Sequence, residues 1–190
     1  MIKVAICNGR PGVGKSELQR LCAQQCGLFG KEAGLTPDKN LYVDIISTVD
    51  FVKEIAYACG WDGSKTLANR KFLSDLKGLL TEWNDVPNAI IEKHVQSLPD
   101  SFDWIVFVDC REPVEIQKLK ERLNATTVLI RRESVENNET SNTSDADVFD
   151  YNYDLTIWNN SDIIHLEDEA RKFIEYMKKE EVPHYESRND

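Results

Sequence analysis

A glycine-rich run near the start of the chain constrains the fold more than any other feature of the sequence. Residues 9–16 read Gly9-Arg10-Pro11-Gly12-Val13-Gly14-Lys15-Ser16 and fit the pattern G-x-x-x-x-G-K-S without a mismatch. The apolar segment IKVAIC, residues 2–7, precedes the run, and leucines at helical spacing follow it up to Gly27. A strand, a glycine loop and a helix in this order predict an α/β fold with a parallel sheet.

The same loop predicts a chemistry. Glycines let backbone N–H groups point inward around an anion, and the N-terminus of the following helix adds its dipole. Lys15 can reach the β and γ phosphates of a nucleotide, and the Ser16 hydroxyl can ligate Mg²⁺. The alternative is a glycine-rich turn without a ligand, which the flanking strand and helix disfavour. We expect residues 9–16 to bind ATP. Arg10 is expected at the rim of the loop, where it either contacts the nucleotide or is merely solvated.

A carboxylate is expected near the metal in addition to the Ser16 hydroxyl, and Asp109 is the candidate for it. It follows DWIVFV, residues 103–108, a nearly unbroken apolar run that is typical of a strand buried on both faces. We expect Ser16 and Asp109 to hold Mg²⁺. The alternative is that Asp109 caps the next helix. Arg111 lies at the same sheet edge, where its guanidinium would bind either a phosphate or a surface carboxylate.

Length and charge narrow the class of protein. The chain has 190 residues, which suits one domain, and a formal net charge of −10, which disfavours a duplex nucleic-acid partner. No apolar window is long enough for a membrane span, and the five cysteines form no regular framework. We expect a cytoplasmic protein without a membrane partner.

The remaining pattern divides the chain into strands, helices and two inserted segments. Further strands are expected at residues 41–46, 103–110, 126–131 and 154–158. Helices are expected from Ser47 or Thr48 to about residue 58, and over residues 65–83, 86–97, 112–123 and 166–179. Within a single domain, residues 61–97 form a helical insertion, residues 132–153 an acidic lid, and residues 180–190 a flexible tail. Seven acids and no basic residue occur between residues 133 and 154, so we expect this segment to bury little and to be mobile.

Three stretches, residues 43–60, 103–132 and 153–176, make the chain resemble the phage-type deoxynucleoside monophosphate kinases. The sharpest shared motif is the glycine loop, and the segment Asp109-Cys110-Arg111 and the strand DLTI at residues 154–157 are softer ones. The resemblance implies a three-layer P-loop fold, with a five-stranded parallel sheet and helices on both faces. It also implies transfer of the γ-phosphoryl group of ATP to a nucleoside monophosphate, with deoxynucleoside monophosphates favoured, while a homodimer stays open.

The resemblance also implies roles for residues outside the loop. Cations should neutralise the acceptor phosphate and the moving phosphoryl group, and the candidates are Arg70, Arg111, Arg131 and Arg132. Asp44 and Asp50 flank the end of the second strand, where the acceptor would bind, although each is also a candidate helix-cap acid. Arg70 has an alternative as well, because the helix around it is amphipathic and its charges suit the solvated face. Trp61 and Trp83 are interpreted as core rather than as base-stacking residues.

Two alternative functions remain open. The predicted lid lacks the arginines that such lids carry, so Arg131 and Arg132 do that work or the lid is not catalytic. This keeps a non-catalytic nucleotide-binding protein as one alternative and a P-loop kinase of another small metabolite as the other. A GTPase is disfavoured, because the nearest run to N-K-x-D, residues 159–162, lacks the lysine.

Overall fold

The computed structural model describes residues 1–26, 40–136, 147–179 and 185–186. Gly27, the connection up to residue 39, the middle of the predicted lid and most of the predicted tail lie outside these ranges. The strands are β1 (Ile2–Asn8), β2 (Leu41–Ser47), β3 (Asp103–Asp109), β4 (Thr126–Arg131), β5 (Leu155–Trp158) and β6 (Tyr185–Glu186). The helices are α1 (Lys15–Gln24), α2 (Asp50–Ala58), α3 (Leu67–Asn84), α4 (Val86–Ser97), α5 (Pro113–Leu123), α6 (Glu133–Glu136) and α7 (Ile163–Met177).

The strands form one sheet in the order β2-β3-β1-β4-β5-β6. The pairs β1/β3, β1/β4, β4/β5 and β5/β6 are parallel, so the predicted five-stranded parallel sheet is confirmed, with the two-residue β6 added at one edge. In the register, Cys7 lies opposite both Asp109 and Val128. Because β1 is central, the loop that follows it leaves the sheet between the carboxyl ends of β3 and β4, where ligands of open α/β sheets bind.

Helices cover both faces of the sheet and complete the three-layer α/β fold of P-loop proteins. On one face α1 and α7 pack against each other and against alternate strand residues, including Ala5, Phe107 and Ile130. The Phe107 ring stacks on Phe173 of α7 at 5.4 Å between centroids. On the other face α5 contacts β1 and β4. The apolar runs predicted as strands are therefore buried because both of their faces are covered.

The chain divides into two compact units, one of residues 1–45 and 99–190 and one of residues 46–98. The second unit begins earlier than the predicted insertion at residue 61, because it includes α2. In this unit α3 packs against both α2 and α4. Asp85, at φ 49°, separates α3 from α4 at the break that the sequence predicted. No helix in the described ranges is both long and apolar enough to cross a membrane.

Three local expectations are corrected. Neither Ser47 nor Thr48 is the N-cap residue of α2; that residue is Val49, and the Asp50 carboxylate accepts a hydrogen bond from the Ser47 N–H at 2.8 Å. Trp83 is 84% exposed rather than in the core, because α3 buries Lys77, about 120° around the helix from Trp83.

The third correction concerns the predicted lid, whose described flanks are built into the fold. A short 3₁₀ turn at Asp147–Phe149 buries Val148 completely, and Tyr153 is 7% exposed. The composition of this segment suggested that it had little to bury, but a single valine and a single tyrosine are enough to attach its end to the sheet. Residues 137–146, which lie between the two flanks, are outside the described ranges.

Candidate phosphate-binding site

The glycine loop lies so close to its neighbours that two of its positions admit no side chain. A Cβ on Gly9 would lie 2.7 Å from the carbonyl oxygen of Ile130 in β4. Gly14, at φ 96°, is the N-cap residue of α1, and a Cβ there would collide with Nδ2 of Asn159. Left-handed backbone and close approach both require glycine. The spacing of the motif is thus explained by contacts to β4 and to the loop after β5.

Asn8, the last residue of β1, holds the start of the loop. Its side chain is 1% exposed. Its Oδ1 accepts a hydrogen bond from the Gly9 N–H at 2.8 Å, and its Nδ2 donates to the Arg111 carbonyl at 3.1 Å and to the Tyr153 hydroxyl at 2.7 Å. The Tyr153 hydroxyl in turn donates to the Val148 carbonyl at 2.9 Å. One amide therefore joins the glycine loop, the loop after β3 and the segment that returns from the predicted lid.

Asn159 holds the other end of the loop. It follows β5 and is 6% exposed. Its Nδ2 donates to the Val13 carbonyl at 2.8 Å, and its backbone N–H donates to the Arg131 carbonyl at 2.8 Å. Neither Asn8 nor Asn159 is among the site residues predicted from the sequence. The signal that was available for both is a polar residue at the carboxyl end of an apolar strand.

Lys15 and Asp109 lie in contact, in agreement with the prediction that both residues are at the same edge of the sheet. Lys15 Nζ lies 2.7 Å from Asp109 Oδ2, and their side chains are 19% and 22% exposed. Gln19, almost completely buried, donates to Asp109 Oδ1 at 2.7 Å and orients the carboxylate. The alternative role of Asp109 as a helix cap is not observed, because the N-cap residue of α5 is Glu112. Burial, and then the charge of Asp109, raise the pKa of the Cys7 thiol, so Cys7 stays protonated beside the site.

The residues present fit the Mg²⁺ and triphosphate that the motif implies. A carboxylate and a hydroxyl are oxygen ligands of the kind Mg²⁺ prefers, and they are supplied by Asp109 and by Ser16 in the first turn of α1. The ammonium of Lys15 lies beside the carboxylate, so both charges needed at a metal-bound triphosphate are present at one point. The glycine loop beside them is held at both ends by the side chains of Asn8 and Asn159.

Arg131, a predicted phosphate-binding residue, pairs with a carboxylate. Its Nε and Nη2 donate to the two oxygens of Glu136 at 2.6 and 2.7 Å. Its guanidinium also lies 4.3 Å from the ring centroid of Trp158 and 5.0 Å from that of Phe149. The hydrogen bonds from Arg131 lower the pKa of Glu136, and the bonds to Glu136 raise the pKa of Arg131.

Arg10 joins the same cluster from the glycine loop. Its Nη1 donates to the Glu136 carbonyl at 2.6 Å, and its guanidinium lies 5.0 Å from the centroid of the Phe149 ring. Arg10 is therefore part of the fold rather than merely solvated. Sequence reasoning missed Glu136 and Phe149, because each belongs to an acidic segment whose pairing with Arg10 and Arg131 arises only in three dimensions.

Arg132 follows Arg131 at the end of β4, and Arg111 follows β3. Arg132 is half-buried, and its carbonyl accepts from the N–H groups of Val135 and Glu136 at the start of α6. Its guanidinium makes no hydrogen bond or ion pair with a residue in the described ranges. Arg111 is exposed, and its carbonyl is held by Asn8. Both lie at the sheet edge that carries the glycine loop.

The residues predicted for the acceptor are distributed over both compact units. Asp44 lies in β2 and accepts from the Ile45 N–H at 3.0 Å. Asp50 and Arg70 belong to the unit of residues 46–98. Asp50 pairs with Lys53 at 3.1 Å in the first turn of α2 and is not the cap of that helix, whose N-cap residue is Val49. Arg70 is exposed in the first turn of α3.

Comparison with known proteins finds similar solved structures, of which one is described below. No protein-family model and no curated protein matches the chain. The crystal structure of thymidylate kinase from Ehrlichia chaffeensis is similar at 13% sequence identity, covering 91% of this chain and 98% of that one, with a TM-score of 0.44. At this level of similarity, the fold assignment rests on the sheet order and the glycine loop of this chain itself.

Proposed function

We propose that the protein transfers the γ-phosphoryl group of ATP to a nucleoside monophosphate, with deoxynucleotides favoured as acceptors. One observation carries the proposal: Lys15 Nζ lies 2.7 Å from Asp109 Oδ2 beside a glycine loop at the end of the central strand. Phosphoryl transfer needs positioning and charge neutralisation rather than covalent chemistry from the protein. A lysine, a carboxylate and a row of backbone N–H groups at one point meet those needs.

The roles on the ATP side follow from the chemistry of each group. The N–H groups of residues 9–16 and the Nζ of Lys15 bind the donor phosphates, and Asp109 and Ser16 hold Mg²⁺. Mg²⁺, when bound, neutralises phosphate charge. Lys15 must exchange its contact with Asp109 for the phosphates, and Gln19 holds the carboxylate while this occurs.

The acceptor side rests on the sequence resemblance. The helical unit of residues 46–98 lies between β2 and β3 in the chain, where kinases of this kind insert their acceptor-binding segment, and it carries Arg70 on an exposed helix turn. Arg70 and Arg111 are alternative candidates for binding the acceptor phosphate. Of the pair at the end of β4, we assign Arg132 to the moving phosphoryl group, because Arg131 would first have to leave Glu136.

The test is a panel of ribo- and deoxynucleoside monophosphates with ATP and Mg²⁺, followed by ADP release. We expect acceptor-dependent ADP formation with at least one nucleotide. Lys15→Ala should abolish it, whereas Arg20→Ala, which removes an exposed cation from the same helix, should leave it unchanged. Transfer that persists at a similar rate in Lys15→Ala would show that the loop assignment is wrong.

A non-catalytic nucleotide-binding protein is the second candidate. The observation that favours it is the bidentate pair between Arg131 and Glu136, which occupies a cation at the start of the predicted lid. Calorimetry of ATP binding separates the two candidates. Tight binding that depends on Lys15, together with no ADP above background for any acceptor, would support the second candidate and exclude the first.

A further inference from the structure

The Glu136 carboxylate lies in a cluster of cations and aromatic rings beside the glycine loop. Arg131 donates two hydrogen bonds to this carboxylate, and Nη1 of Arg10 donates to the backbone carbonyl of the same residue at 2.6 Å. The side chains of Glu136 and Arg131 are 18% and 30% exposed. The hydrogen bonds from Arg131 and, less strongly, the charge of Arg10 lower the pKa of Glu136. One glutamate thus engages two arginines.

This cluster borders the glycine loop on the side of β4. Arg10 belongs to the loop itself. A Cβ on Gly12 would lie 3.9 Å from Val135 Cγ2, so the helical turn that carries Glu136 contacts the loop as well. The loop also touches the end of β4, the strand that finishes with Arg131. Glu136 and the two arginines therefore lie next to the space in which the donor phosphates are proposed to bind.

A phosphate group has the chemistry to take the place of this carboxylate. The guanidinium of an arginine binds carboxylates and phosphates through the same pair of parallel N–H groups. The Glu136 carboxylate carries one negative charge, whereas the phosphates of a nucleoside triphosphate carry several, so two arginines attract the phosphates more strongly. The ligand that suits these arginines is therefore a phosphate of the donor nucleotide.

The position of the Arg131 guanidinium does not depend on Glu136 alone. The guanidinium lies 4.3 Å from the centroid of the Trp158 ring and 5.0 Å from that of the Phe149 ring, and both rings attract a cation. Trp158 lies opposite Arg131 in the register of β4 and β5, so strand pairing keeps the two side by side. Because the rings hold the guanidinium, it is already placed for a phosphate when the carboxylate leaves.

We infer that Glu136 is an internal competitor of the donor phosphates, which occupies Arg131 through its carboxylate and Arg10 through its carbonyl until a donor phosphate displaces it. The inference rests on the proposed function, because it requires the glycine loop to bind the donor. Donor binding must then break the pair between Glu136 and Arg131, and this cost lowers the affinity. Removal of the carboxylate should therefore strengthen donor binding, whereas removal of a group that only supports the fold would weaken it.

Calorimetry of ATP binding in the presence of Mg²⁺ tests the inference with matched variants. Glu136→Gln keeps the backbone carbonyl and one acceptor oxygen but removes the charge. Its Kd for ATP should be about tenfold lower than that of the wild-type chain, the factor that one charge-assisted hydrogen bond represents. Glu133→Gln is the control, because it removes the same charge from an exposed position of the same helical turn. Its Kd should stay within about twofold of the wild-type value.

A double variant shows whether Glu136 acts through Arg131. In an Arg131→Gln background, Glu136→Gln should change the Kd for ATP by less than about twofold, because the cation for which it competes is gone. Three results would each overturn the inference: equal ATP affinity in the wild-type chain and Glu136→Gln, a gain of the same size in Glu133→Gln, or a gain that persists in the Arg131→Gln background.

Turnover separates the inference from the proposed function. If Glu136→Gln binds ATP more tightly but neither it nor the wild-type chain forms ADP with any nucleoside monophosphate, the proposed transfer is wrong and the inference stands. If acceptor-dependent ADP forms but the two affinities are equal, the inference is wrong and the proposed transfer stands. Absence of ATP binding in both the wild-type chain and Glu136→Gln would overturn both.

Discussion

Asn8→Ala is the substitution that most directly tests how the candidate phosphate-binding site is built. The Asn8 side chain makes hydrogen bonds of 2.8, 3.1 and 2.7 Å to the Gly9 N–H, the Arg111 carbonyl and the Tyr153 hydroxyl. Each bond contributes about 1 kcal/mol net, and a buried group left without a partner costs about 1–3 kcal/mol. We therefore expect the variant to lose roughly 2–4 kcal/mol of unfolding free energy.

The measurement is a thermal melt followed by circular dichroism. For a chain of this size 1 kcal/mol shifts Tm by about 2–4 °C, so the expected loss lowers Tm by about 5–15 °C. Tyr153→Phe is the matched control. It removes the hydroxyl that receives the Asn8 amide and donates to the Val148 carbonyl, but it keeps the ring and the contacts of Asn8 to the other two loops. Its effect should be about half as large.

The double variant and the nucleotide affinity complete the test. Because the two side chains share a hydrogen bond, the losses in Asn8→Ala and Tyr153→Phe should add to more than the loss in the double variant. Asn8→Ala should also weaken ATP binding more than Tyr153→Phe, since only Asn8 holds the Gly9 N–H. A Tm within about 2 °C of wild type in Asn8→Ala would refute the view that this amide organises the site.

Three further predictions concern the rest of the molecule. Hydrogen bonds from Arg131 lower the pKa of Glu136 below its ordinary value of 4.5. The pair therefore stabilises the fold fully at pH values above 4.5, and this contribution is lost as the pH falls through the lowered pKa. Glu136→Gln should flatten the acid side of a curve of Tm against pH. Ellman's reagent should titrate only Cys59 in the folded chain, because the other four cysteines are buried, and a second fast-reacting thiol would contradict that burial. Asp154→Ala should lower Tm by several degrees in a thermal melt, because the carboxylate accepts from the Thr127 N–H and hydroxyl, both at 2.9 Å, and an unchanged Tm would contradict this.

The sequence was sufficient wherever a short segment carries the information. The strand at residues 126–131 and the helix at residues 86–97 have the bounds that were predicted, because apolar runs and helical spacing are local properties. The glycine motif is local as well, and so is the break before Val86. The meeting of Lys15 with Asp109 required only one further rule, that parallel strands end at the same sheet edge.

Contacts between distant segments were decided by the tertiary structure alone. Asn8 meets Tyr153 and Asn159 meets Val13 across more than 140 positions, and no local pattern specifies such pairs. Arg131 and Glu136 are only five residues apart in sequence, yet their pairing depends on a helical turn after β4 and on the rings of Phe149 and Trp158. Which cation stays available for a phosphate is therefore a property of the fold.

The sequence by itself thus determined the central strand and the glycine loop, and it predicts the class of ligand that such a loop binds. The tertiary structure decided how that loop is held, which arginine is occupied and which face of α3 is left exposed. The physical reason is that the periodicity of side chains along a helix or strand depends on residues that are neighbours in sequence. Side-chain partners and burial depend instead on the segments that the fold brings together.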